Sequence, residues 1–107
     1  RLKINGREAG IGFVKHLTEQ TGAVPVNVHY NPSGIIDRGY VSGFLSKNGK
    51  YVYISISDSK LTPPILYRTA KYENDYTGGS NCYAKLDKKE IFHMIDTIKR
   101  MLGTVNG

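Results

Sequence analysis

The stretch Arg38–Asp58 constrains this chain more than any other, because it holds two alternating segments joined by Asn48-Gly49. An Asn-Gly pair is the preferred two-residue loop of a type I′ hairpin, since both loop residues need positive φ. Counting outward from that loop sets the register. Lys47 faces Lys50, Leu45 faces Val52, Gly43 faces Ile54 and Val41 faces Ile56. The other side pairs Ser46 with Tyr51, Phe44 with Tyr53, Ser42 with Ser55 and Tyr40 with Ser57. One face is aliphatic, and the other is aromatic and hydroxylic. A slip of one residue would mix the two sets, so the pattern selects a single register.

The flanking segments supply partners for this hairpin. Val24, Val26, Val28 and Tyr30 alternate with other residues and read as a strand with one apolar face. Pro25 puts that strand at a sheet edge or marks its start, and an open edge there would allow a homo-oligomer. Residues 65–72 and 81–86 read as two further strands around a Gly78-Gly79 loop, and Arg1–Ile4 as a short one. A helix is predicted from an Asn5 cap to a Gly22 stop, with a stripe of Ala9, Phe13, Leu17 and Gln20 widened by Ile11 and Val14. Asp87-Lys88-Lys89-Glu90 has capping-box spacing. Ile91, Met94, Ile95, Ile98, Met101 and Leu102 then repeat at helical spacing up to Gly103.

Together these segments predict an α+β two-layer sandwich. Its mostly antiparallel sheet has five to six strands, with an N-terminal helix and a C-terminal amphipathic helix. The aliphatic hairpin face is expected beneath the C-terminal helix. The Tyr/Ser face is expected either open to solvent or under the N-terminal helix. A chain of 107 residues is the size of one domain, read as 1–107 with 104–107 a frayed tail.

Composition narrows the function classes. Fifteen Lys and Arg against nine Asp and Glu give a formal charge of +6, which permits nucleic acid or an acidic protein as partner. The charge is spread along the chain, with no arginine-rich arm. No run of about 18 apolar residues predicts a membrane helix, and no membrane partner is expected. The single cysteine and the lack of a signal-type start point to a cytoplasmic location. The sequence starts on Arg1 rather than Met, as a piece of a longer protein would. One Cys and three scattered His do not fit zinc spacings. No metal, cofactor or catalytic residue is assigned. His16, His29 and His93 are not brought together by spacing, and Cys82 alternates with Ala84 and Leu86 on a core face.

Eight Tyr, three Phe and no Trp make the aromatic inventory tyrosine-heavy. Phe44, Tyr51 and Tyr53 share the hairpin's aromatic face, with Tyr40 flanking them. Arg38, Lys47 and Lys50 lie beside it or at its tip. A single-strand binder needs rings for bases and cations for phosphates. The same rings also read as cross-strand pairs that stabilise the sheet. Lys88-Lys89 and Lys99-Arg100 mark two ends of the last helix's polar face, which reads either as a solvated face or as a binding one. Tyr76, Thr77, Gly78, Gly79 and Ser80 form a candidate loop, since glycines beside hydroxyls can cradle a phosphate through backbone amides. That loop lacks the Lys-Ser/Thr ending of a P-loop and precedes a strand.

The stretch Tyr53-Ile54-Ser55-Ile56-Ser57-Asp58, with Ile65-Leu66-Tyr67-Arg68-Thr69-Ala70-Lys71 and Asp75-Tyr76-Thr77-Gly78-Gly79-Ser80-Asn81, resembles accessory domains of polyvalent proteins of phages and conjugative elements. The resemblance implies a mobile-element setting, where small proteins bind incoming DNA or block a host defence protein. It carries over no functional residues. The expected function is a non-enzymatic nucleic-acid-binding domain that prefers single strands. The alternative is a protein-binding module or inhibitor, because tyrosines also dominate protein hot spots. A second alternative is a small phosphodiesterase using His29 or His93.

Overall fold

The computed structural model describes residues 6–32, 39–57, 64–73, 75 and 79–103. Helix α1 (Gly6–Thr21) is followed by strands β1 (Val24–Pro32), β2 (Gly39–Lys47), β3 (Lys50–Ser57), β4 (Ile65–Ala70) and β5 (Cys82–Ala84), and then by helix α2 (Lys88–Met101). The five strands form one sheet in sequence order, with every neighbouring pair antiparallel. Both helices lie on one side of it, which makes the α+β two-layer sandwich expected from the sequence. The Arg1–Ile4 strand, the Asn5 cap and the 104–107 tail lie outside the described residues.

The β2–β3 register is the one counted from Asn48-Gly49, from Lys47↔Lys50 to Tyr40↔Ser57. Asn48 and Gly49 have φ of 58° and 75°, the left-handed pair a type I′ loop requires. The aliphatic face of this hairpin is the centre of the core. Val41, Leu45, Val52, Ile54 and Ile56 cluster there with Val14 and Leu17 of α1 and Ile91, Met94, Ile95 and Ile98 of α2. The buried stripe of α1 runs Gly10, Val14, Leu17, Thr21, rotated about one residue from the expected one, so Ile11 and Gln20 face outward.

Helix α2 starts as its sequence predicts. The Asp87 side chain accepts from the Glu90 amide at 2.8 Å. Glu90 reaches back to the Lys85 amide at 2.9 Å, two residues beyond the reciprocal capping position. The Tyr67 hydroxyl is buried under α2, and that burial pushes its pKa up, while a hydrogen bond with Thr97 pulls the other way. Cys82 is half-buried and packs against the core.

Strand β1 departs from simple alternation. Its register with β2 shifts between Val26↔Phe44 and His29↔Ser42, so β1 has one extra residue there. Asn27 takes a φ of 52° at this bulge. An extra residue inverts the phase of everything beyond it. Val24 and Val26 therefore lie on the aromatic side, while Val28 and Tyr30 pack against the core. Pro25, Pro32 and the bulge all sit on this edge strand, which discourages edge-to-edge pairing.

Gly43 makes the bulge possible. A Cβ at this position would lie 2.6 Å from Val28 Cγ2 and 2.7 Å from Val28 Cα. Backbone sits at that distance, so the clash cannot be relieved by a rotamer change. Gly43→Ala should destabilise the fold by about 1–3 kcal/mol, the usual cost of overpacking. Urea unfolding would read this as a lower midpoint at unchanged slope. An unchanged midpoint would mean that β1 is not held as described.

Candidate functional site

Three surfaces hold the residues singled out by sequence. The first is the aromatic sheet face. Strand pairing aligns Val26, Phe44, Tyr53 and Arg68 in one row across four strands. The Phe44 and Tyr53 rings meet at 5.4 Å and 62°, an edge-to-face contact. The Arg68 guanidinium lies 4.6 Å from the Tyr53 ring centroid, a cation–π arrangement. Phe44 is 0% exposed and Arg68 only 6%.

The chain after β4 explains this burial. Lys71 donates its amide to Asp75 Oδ2 at 3.0 Å, and Asp75 donates its own to the Tyr72 carbonyl at 3.2 Å. Arg68 donates to the Asp75 carbonyl at 3.2 Å. Asn27 Nδ2 donates to Glu73 Oε2 at 3.0 Å. β4 and β1 are three strand spacings apart, roughly 14 Å. The Asn27–Glu73 bond therefore closes over the row between them.

The expectation of an open stacking face is corrected accordingly. Phe44 is buried and presents no ring to a base, and α1, the other expected cover, packs on the opposite face. Tyr51 and Tyr53 are half-buried, and Tyr40 is 42% exposed. Tyr40 sits four residues along β2 from Phe44, about 13 Å away at 3.3 Å per residue. The structure brings Phe44 and Tyr53 together and leaves Tyr40 apart. Arg38 and the loop residues Tyr76, Thr77 and Gly78 lie outside the described residues. Gly79 and Ser80 are exposed, with the Gly79 amide bonded to the Thr69 carbonyl at 3.1 Å.

The second surface is the hairpin tip. A Cβ on Gly22 would lie 2.7 Å from Lys47 Nζ, and one on Gly103 would lie 3.0 Å from Lys50 Nζ. Each ammonium therefore sits against the C-terminal end of a helix, Lys47 at α1 and Lys50 at α2. Helix C-termini carry partial negative charge, and α1 has no basic residue in its own last turn. Asn48 Nδ2 also donates to the Leu102 carbonyl at 3.3 Å. The two lysines expected to hold phosphates thus lie against helix ends, Lys47 half-buried and Lys50 exposed.

The third surface lies on the helices and centres on Phe92. This ring is 78% exposed, the most exposed of the large apolar side chains described. It stands at a cavity of about 880 Å³ between α1 and the first half of α2, where Leu86, Ile91 and Ile95 contribute apolar surface and His16, Lys88 and Lys89 are polar neighbours. A second cavity of about 520 Å³ also touches Phe92, with His93, Asp96 and Lys99. The two acidic groups here are engaged: Asp87 caps α2 and Asp96 pairs with Arg100. Lys88, Lys89 and Lys99 outnumber the carboxylates, so the rim is net positive. Sequence reading placed the helix lysines on one polar face but missed Phe92. The available signal was an aromatic residue off the Ile91–Met94–Ile95–Ile98 stripe, one turn after Lys88.

His16 and His93 line different cavities, and His29 is on β1 with Nδ1 2.9 Å from the Asn27 carbonyl oxygen. Among the described residues no three His, Cys, Asp or Glu gather as metal ligands, and no helix is long and apolar enough to cross a membrane. Comparison of the chain with protein-family models, with curated proteins and with solved structures finds no match in any of the three.

If the aromatic row is packing, Phe44→Ala should cost about 3–5 kcal/mol in unfolding free energy. Lys47→Met should cost under about 1 kcal/mol, and less still in high salt, as a helix-end charge effect does. Urea unfolding of both variants checks this. A loss below about 1 kcal/mol at Phe44 would contradict the packing of that face.

Proposed function

We propose that this chain is a non-enzymatic binding domain for an anionic macromolecule and that it binds through the α1–α2 face. The observation that carries this reading is Phe92, a phenyl ring 78% exposed beside Lys88, Lys89 and Lys99 in a chain of charge +6. Burying such a ring in a complex contributes roughly 1.5–3 kcal/mol. The lysines add long-range attraction and orient the encounter. On the sheet, Phe44, Tyr53 and Arg68 pack on one another and the tip lysines lie against helix ends, while the exposed tyrosines Tyr40 and Tyr83 are less exposed than Phe92.

A single-stranded nucleic acid fits this reading with its phosphates on the lysines and a base on Phe92. An acidic protein fits it with carboxylates in the same places. The mobile-element setting implied by the resemblance of residues 53–81 supplies both kinds of partner. The cytoplasm holds both as well.

Salt-titrated binding to a short single-stranded oligonucleotide and to an acidic peptide tests the site. The double substitution Lys88→Glu/Lys89→Glu should weaken binding at least about tenfold at low salt, because it reverses the charge of the rim. Tyr40→Ala should leave binding unchanged. The opposite pattern would return the site to the sheet face, and no binding of either polyanion would end the proposal.

A further inference from the structure

Resting on that binding reading, we infer that the α1–α2 groove receives an acidic amphipathic helix from a protein partner. The floor of the groove is aliphatic, built by Leu86, Ile91 and Ile95. Aliphatic side chains offer no π-face to a base, whereas single-strand binders stack successive bases on several rings. Phe92 is the one phenyl or phenol ring among the described residues of this groove. A groove of this kind accepts Leu-like side chains, and a helix delivers them at i, i+3, i+4 and i+7.

The rim fixes the charge of that helix. Lys88, Phe92, Ile95 and Lys99 follow one another at intervals of four, three and four residues along one face of α2. The two lysines are therefore separated by about 16 Å at 1.5 Å per residue. A partner helix of three to four turns covers this length with its apolar stripe over Phe92 and its carboxylates beside the lysines. Asp96 is paired with Arg100, and the one remaining carboxylate, Asp87, is outnumbered by Lys88, Lys89 and Lys99, so the rim stays net positive. A third helix laid there would also extend the layer that α1 and α2 form over the sheet.

The test titrates the full chain with three labelled probes. The first is a peptide of about 18 residues with Leu at helical spacing and Glu elsewhere. The second is an isomer of the same composition with its Leu dispersed, and the third a single-stranded oligothymidylate. The first peptide should bind at least about tenfold tighter than its isomer. Phe92→Ala should abolish that difference, with the thermal midpoint unchanged because the ring is already exposed. Lys88→Glu/Lys89→Glu should weaken both peptides. Equal binding of the two peptides would overturn the inference. Binding of the oligonucleotide alone would overturn it too, while leaving the anionic-partner reading in place. No binding of any probe at low salt would sink both. A dimer of the free protein that Phe92→Ala dissociates would put a second copy in the groove and also contradict the inference.

Discussion

The Asn48-Gly49 turn decides which residues of β2 and β3 share a face, and most of the remaining structure follows from that decision. It places Gly43 opposite Ile54 on the core side, where the missing side chain leaves room for Val28. The room allows the β1 bulge, and the bulge turns Val28 and Tyr30 toward the core. The same register aligns Phe44 with Tyr53 on the other side and Arg68 with Tyr53 across β3–β4. At the tip it puts Lys47 and Lys50 side by side, each against the end of a different helix. A two-residue turn thus ties the sheet to both helices.

This arrangement separates what the molecule uses for itself from what it offers outward. The aromatic face looks like a binding surface in composition, with rings beside cations. Its contacts are internal: ring on ring, guanidinium on ring, and a side-chain bond from Glu73 to Asn27 closing over them. The Phe92 region shows the reverse pattern. A large apolar ring stands in water with lysines around it, although Ile91, its neighbour on the same helix, is buried. A ring left exposed where the fold could have placed a polar residue is the natural place to look for a partner.

How much of this was legible in the sequence depended on how local the cause was. The hairpin register and the α2 stripe came directly from spacing, because a turn of two residues and a helical period are short-range facts. The β1 bulge did not, since alternating valines continue through it and only Asn27's left-handed backbone breaks the phase. The Asn27–Glu73 bond that bridges the aromatic row joins residues 46 positions apart, which no local pattern announces. The positions of Lys47 and Lys50 depend on where two helices end in space, and a sequence reading sees them only as exposed cations at a turn. The α1 stripe was off by about one residue because Ile11 and Phe13 flank the true face, whose described large apolar residues are Val14 and Leu17 alone.

Native-state hydrogen exchange tests the central role of the hairpin most directly. The amides of residues 43–45 and 52–54 lie in strands paired on both sides. They should open only with global unfolding and report its full free energy, the highest in the molecule. The outcome that would contradict the account is exchange of these amides through a cheaper, local opening while the core-facing turns of α2 stay protected.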